Sequence, residues 1–148
     1  MILNKQNYDR NIELLNYIYN NAKIGSQSIA QILPKINNKN LQDTLLGQLS
    51  GYQNVVNKAS EMLMNLNSTP KECFIDKISQ KTGIAVNTMT DTSASHIAQV
   101  MINENTSGVI ELTKKTNQIS DCHQNICKLC DDLVKIQEDG TQNLKKFL

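Results

Sequence analysis

YDRNIELLNYIYNNAKIGSQSIAQIL, residues 8–33, is the stretch whose reading decides the fold. Tyr8, Ile12, Leu15, Tyr19, Ala22, Ser26, Ile29 and Leu33 follow one another at alternating intervals of four and three residues. Positions so spaced share one face of an α-helix, so the pattern is the buried seam of a long amphipathic helix. Only Ser26 interrupts it, and Leu14, Ile18 and Ile32 widen the stripe. Asn7 or Asp9 offers an N-terminal cap. Pro34 ends the helix, because the residue before a proline is driven toward extended backbone.

Three further segments repeat the pattern. Leu41, Leu45, Leu49, Tyr52, Val56, Ala59, Leu63 and Leu66 mark a helix over about 39–66, starting near Asn38 or Asn40. Gly47 and Gly51 lie inside it, either on the solvent side or where a neighbour comes close. Ala94, Ala98, Met101, Asn105, Gly108 and Leu112 mark a third helix over about 92–117, capped by Asp91 or Thr92. Ile126, Cys130, Leu133, Gln137, Gly140, Leu144 and Phe147 mark a fourth over about 121–147, started by Ser120 or Asp121. Residues 70–91 carry only a short, broken apolar pattern behind a Thr69 cap and Pro70, which predicts one or two short helices in a crossover. A loop of about five residues between the first two helices makes them antiparallel neighbours. The expected fold is all-α: a single domain, 1–148, of two antiparallel helical hairpins joined by a crossover containing a short helix.

Composition bounds the function. A net charge of +1, with acids and bases interspersed, gives no reason to expect nucleic acid or an anionic membrane as partner. No apolar run approaches a membrane span, and residues 1–5 do not begin a secretory signal, so a cytoplasmic location with reduced thiols is expected. Asn and Gln together number 31 and take the place of charge on solvated faces. A homo-oligomer or a protein partner remains open.

Leu66–Glu72, Lys77–Ile84 and the third helix from Ser93 to Lys115 carry, in length and placement, a resemblance that spans essentially the whole chain. In these features the chain resembles the ferritin-like superfamily, and within it small bacterial four-helix proteins that lack the di-iron ligands. Ferritins and rubrerythrins of that superfamily hold two irons with a Glu from each of two helices and a Glu-x-x-His from each of the other two. Three residues before His96 stands Ser93, and three before His123 stands Ser120. The seam positions at mid-helix depth are Tyr19, Ala22, Tyr52, Asn105 and Leu133. Glu13 and Glu104 are candidates for single ligands, and the second helix offers only Asp43 and Glu61 near its ends. The resemblance therefore implies the fold without ferroxidase, peroxidase or iron-storage chemistry, and no cofactor.

The remaining chemistry is concentrated in DCHQNICKLC, residues 121–130. His123, Cys127 and Cys130 stand at i, i+4 and i+7, one helix face, which makes them weak candidates for a metal site. Against that, free cysteines commonly serve as small apolar packing residues, and Cys122 points about 100° away on a helix. Tyr8, Tyr19 and Tyr52 are expected in the core with partnered hydroxyls, and a tyrosine hydrogen-bond network could stand where a metal centre is lost. Asn105, mid-bundle, needs a partner, which Tyr19 or Tyr52 could supply. His96 is expected at the surface. With no phosphate loop, nucleophile elbow or paired central carboxylates, the expected function is a non-catalytic structural or interaction bundle. The alternative is a metal- or thiol-linked stress protein using the fourth helix.

Overall fold

The computed structural model describes residues 5–71, 89–119 and 121–148. These residues form four long helices: α1 (Lys5–Ile32), α2 (Lys39–Asn65), α3 (Ala94–Asn117) and α4 (Gln124–Leu144). Short 3₁₀ turns follow α1 at Leu33–Lys35 and α4 at Lys145–Phe147. At 1.5 Å per residue, the 28 residues of α1 extend about 42 Å. Among the described residues there is no strand, and no helix is long and apolar enough to cross a membrane.

The ends of the helices are set by local chemistry. Asn38 caps α2, its Oδ1 accepting the Leu41 amide at 3.0 Å. Asn67 takes a left-handed φ of 56°, and the Ser68 amide reaches the Leu63 carbonyl at 2.8 Å. That is the Schellman arrangement that closes a helix C-terminus, with Asn in place of the usual Gly. The Tyr8 hydroxyl donates to the Leu66 carbonyl beside it, so Tyr8 is half-buried at a helix end rather than a core residue. Three starts differ from the sequence expectation. α1 is already helical at Lys5, so Asn7 and Asp9 lie within it and do not cap it. Ser93, not Asp91 or Thr92, caps α3, because its Oγ accepts the His96 amide while Asp91 Oδ1 accepts the amide of Ser93 itself. α4 begins at Gln124 rather than 121, with His123 as its cap. The expected short helix of the crossover falls largely outside the described residues.

Cross-helix contacts fix the directions. Tyr8 meets Leu66 and Gly25 meets Tyr52, so α1 and α2 are antiparallel. Glu13 pairs with Lys115, Tyr17 with Glu111 at 3.2 Å and Asn21 with Gly108 at 3.3 Å, so α1 and α3 are antiparallel. Gly51 faces Ile136 and Gly140 faces Gln48, so α2 and α4 are antiparallel. Around the bundle the order is α1, α2, α4, α3. The helices α2 and α3 lie on a diagonal and run the same way.

Leu14, Leu15, Ile18, Leu41, Leu45, Leu63, Ile97, Leu112, Leu133 and Leu144 are wholly buried between the four helices. Each such side chain contributes about 1.5–3 kcal/mol of apolar burial. On α1 the deepest stripe runs through Leu14, Leu15, Ile18, Ala22 and Ile29, while Ile12 and Leu33 are only partly covered. The stripe is turned toward the flanking residues because α1 packs against α2 on one side and α3 on the other.

Candidate functional site

Halfway along the bundle the apolar core gives way to a layer of amides and one phenol. Gln48 and Tyr52, four residues apart, share one face of α2, and the Gln48 amide donates to the Tyr52 oxygen at 3.0 Å. Asn105 of α3 completes a triangle, its Oδ1 accepting from Gln48 at 2.7 Å and from the Tyr52 hydroxyl at 3.2 Å. From α4, Gln137 donates to Asn21 Oδ1 of α1 at 2.8 Å. All four helices thus contribute to the layer. The expected partnership of Asn105 with Tyr52 is present.

Three glycines make room for these side chains. A Cβ on Gly25 would lie 2.6 Å from the Tyr52 ring, and one on Gly140 would lie 2.5 Å from Gln48 Oε1. A Cβ on Gly108 would collide with the Gln137 amide. Gly47 is different, with nothing within 4 Å, and Gly51 meets Ile136 at 3.2 Å, a close side-chain contact.

The layer is neutral. Burial pushes the Tyr52 hydroxyl up to about 12, against smaller opposing effects from the Gln48 and Gln137 amides. Tyr52 therefore stays protonated near neutrality and acts as a hydrogen-bond donor, not as a base or nucleophile. Gln48 Oε1, Asn105 Nδ2, Gln137 Oε1 and Asn20 Oδ1 are buried without hydrogen-bond partners among the described residues. Among the carboxylates weighed as single metal ligands, Glu104 alone of the four acts on Tyr52, its negative charge adding to the rise that burial causes. Glu13 pairs with Lys115, Asp43 pairs with Lys39 four residues before it, and Glu61 is exposed. Glu104 lines the groove between α1 and α3.

The second candidate region lies at the start of α4. His123, Cys127 and Cys130 do not share a helix face, because His123 lies before the first turn as its cap. Its Nδ1 accepts the Asn125 amide at 3.3 Å, and its own backbone N–H donates to Asn11 Oδ1 at 3.2 Å. Cys122 and Cys127 form a disulfide with Cα atoms 5.9 Å apart, inside the span such a bond allows. This corrects the expectation of reduced thiols and of a Cys122 turned away. Cys122 precedes the helix, so its orientation follows the turn at 121–123 and not the helical 100° step. Cys130 is a buried packing residue whose thiol is pushed up to about 11, first by burial and then by the nearby Asp131 charge, which makes it a poor nucleophile and metal ligand. Among the described residues, no three His, Cys, Asp or Glu side chains stand together in a group able to hold a metal ion. His96, on the first turn of α3, is half-exposed.

Asn105, Tyr52 and Gln137 were visible as seam positions, but Gln48 and Asn21 were not. The available signal was the set of glycines inside helices, Gly25, Gly108 and Gly140 among them, since such a glycine can mark the close approach of a neighbour, although Gly47 shows that it need not. No family model matches the sequence, and no characterised protein or solved structure matches it either.

Proposed function

We propose that the protein is a ferritin-like four-helix bundle without a di-iron centre, serving as a non-catalytic structural or protein-interaction module. The helix directions support the fold assignment. Because α2 and α3 run the same way, the chain between Leu66 and Ser93 joins opposite ends of the bundle, as the connection between ferritin-like hairpins must. The observation that carries the functional part is the mid-bundle layer of Gln48, Tyr52, Asn105, Gln137 and Asn21. A di-iron group needs carboxylates and imidazoles converging at that depth, and amides with a protonated phenol do not fit it.

Metal analysis of protein purified without chelator tests this assignment. The expected result is far less than one metal per chain and a melting temperature unchanged by EDTA. Stoichiometric iron or zinc would refute it. Light scattering on the same sample gives the solution mass and with it the homo-oligomer question.

One observation favours a second function, a thiol-linked role. Cys122 and Cys127 are paired at the partly exposed start of α4, where a reagent in solution has access. If peroxide and a dithiol reductant interconvert the pair in the folded protein, this role gains support. A pair fixed in one state under both treatments excludes it.

A further inference from the structure

Near its start, α1 reaches each of the other three helices with a polar side chain. Tyr8 donates to the Leu66 carbonyl at the end of α2, and Glu13 pairs with Lys115 of α3. Asn11 Oδ1 accepts the His123 backbone N–H at 3.2 Å, at the start of α4. Asn11 is 6 % exposed, and an acceptor so deeply placed needs that donor.

The N–H that Asn11 receives belongs to the peptide group joining Cys122 to His123. A peptide group is planar, so its N–H and its C=O turn together. The C=O of this one, on Cys122, lies 3.3 Å from Cys127 Sγ. The Cys122–Cys127 bond closes a ring over the same peptide group. On its far side the His123 carbonyl accepts the amides of Ile126 and Cys127 at 2.9 and 3.0 Å. With the disulfide closed, the plane is therefore held from both ends and presents its N–H to Asn11. With the disulfide open, a thiol at Cys127 can offer the Cys122 carbonyl only a weak S–H donor. Cys122 and Cys127 are partly exposed and Cys130 is buried, so a reagent in solution meets the pair and not the third cysteine.

We propose that the Cys122–Cys127 pair is a redox-operated latch, which when closed holds the Cys122–His123 peptide group against Asn11 and when open releases that contact between α4 and α1. The inference rests on the thiol-linked reading above and names what it regulates. The opening reagent is a dithiol. One of its thiolates attacks one sulfur of the pair, and the Cys122–Cys127 bond breaks with its electron pair leaving on the other sulfur. The second thiolate then attacks the mixed disulfide, forms a cyclic disulfide and expels the remaining cysteine thiolate. The dithiol is oxidised by two electrons, the pair is reduced by two, and the two thiol protons end on the cysteines. Hydrogen peroxide closes the latch, two thiols and one peroxide giving the disulfide and two waters.

Amide hydrogen exchange followed by NMR on the full chain tests it, comparing peroxide-treated and dithiol-treated samples whose state is read by mass. The His123 amide is expected to exchange about three- to tenfold faster in the reduced sample, the effect of losing one hydrogen bond. The Leu133 amide, in the middle of α4, is expected to be unchanged. Asn11→Ala should give the faster His123 exchange in the oxidised sample and abolish the difference between the two states. Cys122→Ser should exchange at His123 as the reduced wild type does, with no reductant present. Mass separates the two ways of failing. If neither reagent shifts the mass by two hydrogens, the thiol-linked reading falls and the redox trigger falls with it. If the mass shifts but His123 exchanges alike in both states, the latch alone is refuted. Should Asn11→Ala not fold, Cys122→Ser exchanging like the oxidised wild type overturns the latch equally.

Discussion

Replacing Gly108 by Ala tests whether the polar layer depends on the space the glycines provide. A Cβ at this position would lie 2.9 Å from Gln137 Cδ and 3.1 Å from its Oε1, and closer still to the amide nitrogen. The amide is held against Asn21 and cannot swing into solvent, since Gln137 is only 3 % exposed. Forcing it aside resembles overpacking a core, about 1–3 kcal/mol. Losing the bond to Asn21 leaves the buried Gln137 amide donor without its partner, a further ~1–3 kcal/mol. Helix propensity works the other way, favouring Ala by about 1 kcal/mol. The net expectation is a loss of about 1–5 kcal/mol, against a gain of up to about 1 kcal/mol for Gly47→Ala. Gly47 is the matched control because a Cβ there would meet nothing within 4 Å. Urea unfolding followed by circular dichroism measures both. In a Gln137→Ala background the collision disappears, so Gly108→Ala should there approach the behaviour of Gly47→Ala. If Gly108→Ala is as stable as the wild type, or if its effect is the same with and without Gln137, the reasoning is wrong.

Three further outcomes are expected. The hydroxyl of Tyr52 is raised to about 12 in the folded protein against about 10 unfolded, so between those values the unfolded chain loses a proton that the folded one keeps. Stability from this source is therefore complete below about pH 10 and falls as pH rises toward 12. Urea midpoints at rising alkaline pH should decline, and Tyr52→Phe should flatten part of the slope, Tyr17 retaining its own share because partial burial and Glu111 also push it up to about 12. Leu133→Ala removes a wholly buried side chain and should cost about 2–5 kcal/mol in the same assay. A loss under about 1 kcal/mol would place Leu133 outside the core. Tryptic digestion of unreduced protein should release the peptide Thr116–Lys128 in a form lighter by two hydrogens than after reduction, reporting the Cys122–Cys127 bond. Cys130, in the next peptide, should alkylate only after unfolding.

The helices were legible because their buried faces are long and periodic. The seam through Leu15, Ala22 and Ile29, and those through Leu41, Leu63, Ala98, Leu112 and Leu133, point inward as their spacing requires. Helix ends were less legible, since several residues near each end can cap. At α3 the choice fell to Ser93 because Asp91 is occupied with the Ser93 amide. The start of α4 misled for a related reason. The i, i+4, i+7 spacing of His123, Cys127 and Cys130 implies a shared face only if residue 123 is already helical, and it is not. The polar layer was half visible. Asn105 and Tyr52 fall on seams, whereas Gln48 belongs to a seam only once Gly140 opposite it is known to leave space.

The glycine contacts have a consequence for how the helices can slide. Each long helix repeats its apolar positions so regularly that a shift of one turn, about 5.4 Å, would still bury leucines and isoleucines. Such a shift would bring Ile136 or Leu144 opposite Gln48 in place of Gly140, Glu104 or Leu112 opposite Gln137 in place of Gly108, and Asn21 or Ile29 opposite Tyr52 in place of Gly25. Every alternative sets a large side chain where only a hydrogen atom now fits. The seams make four helices associate, and the three glycines select a single register among the equally oily ones available to them.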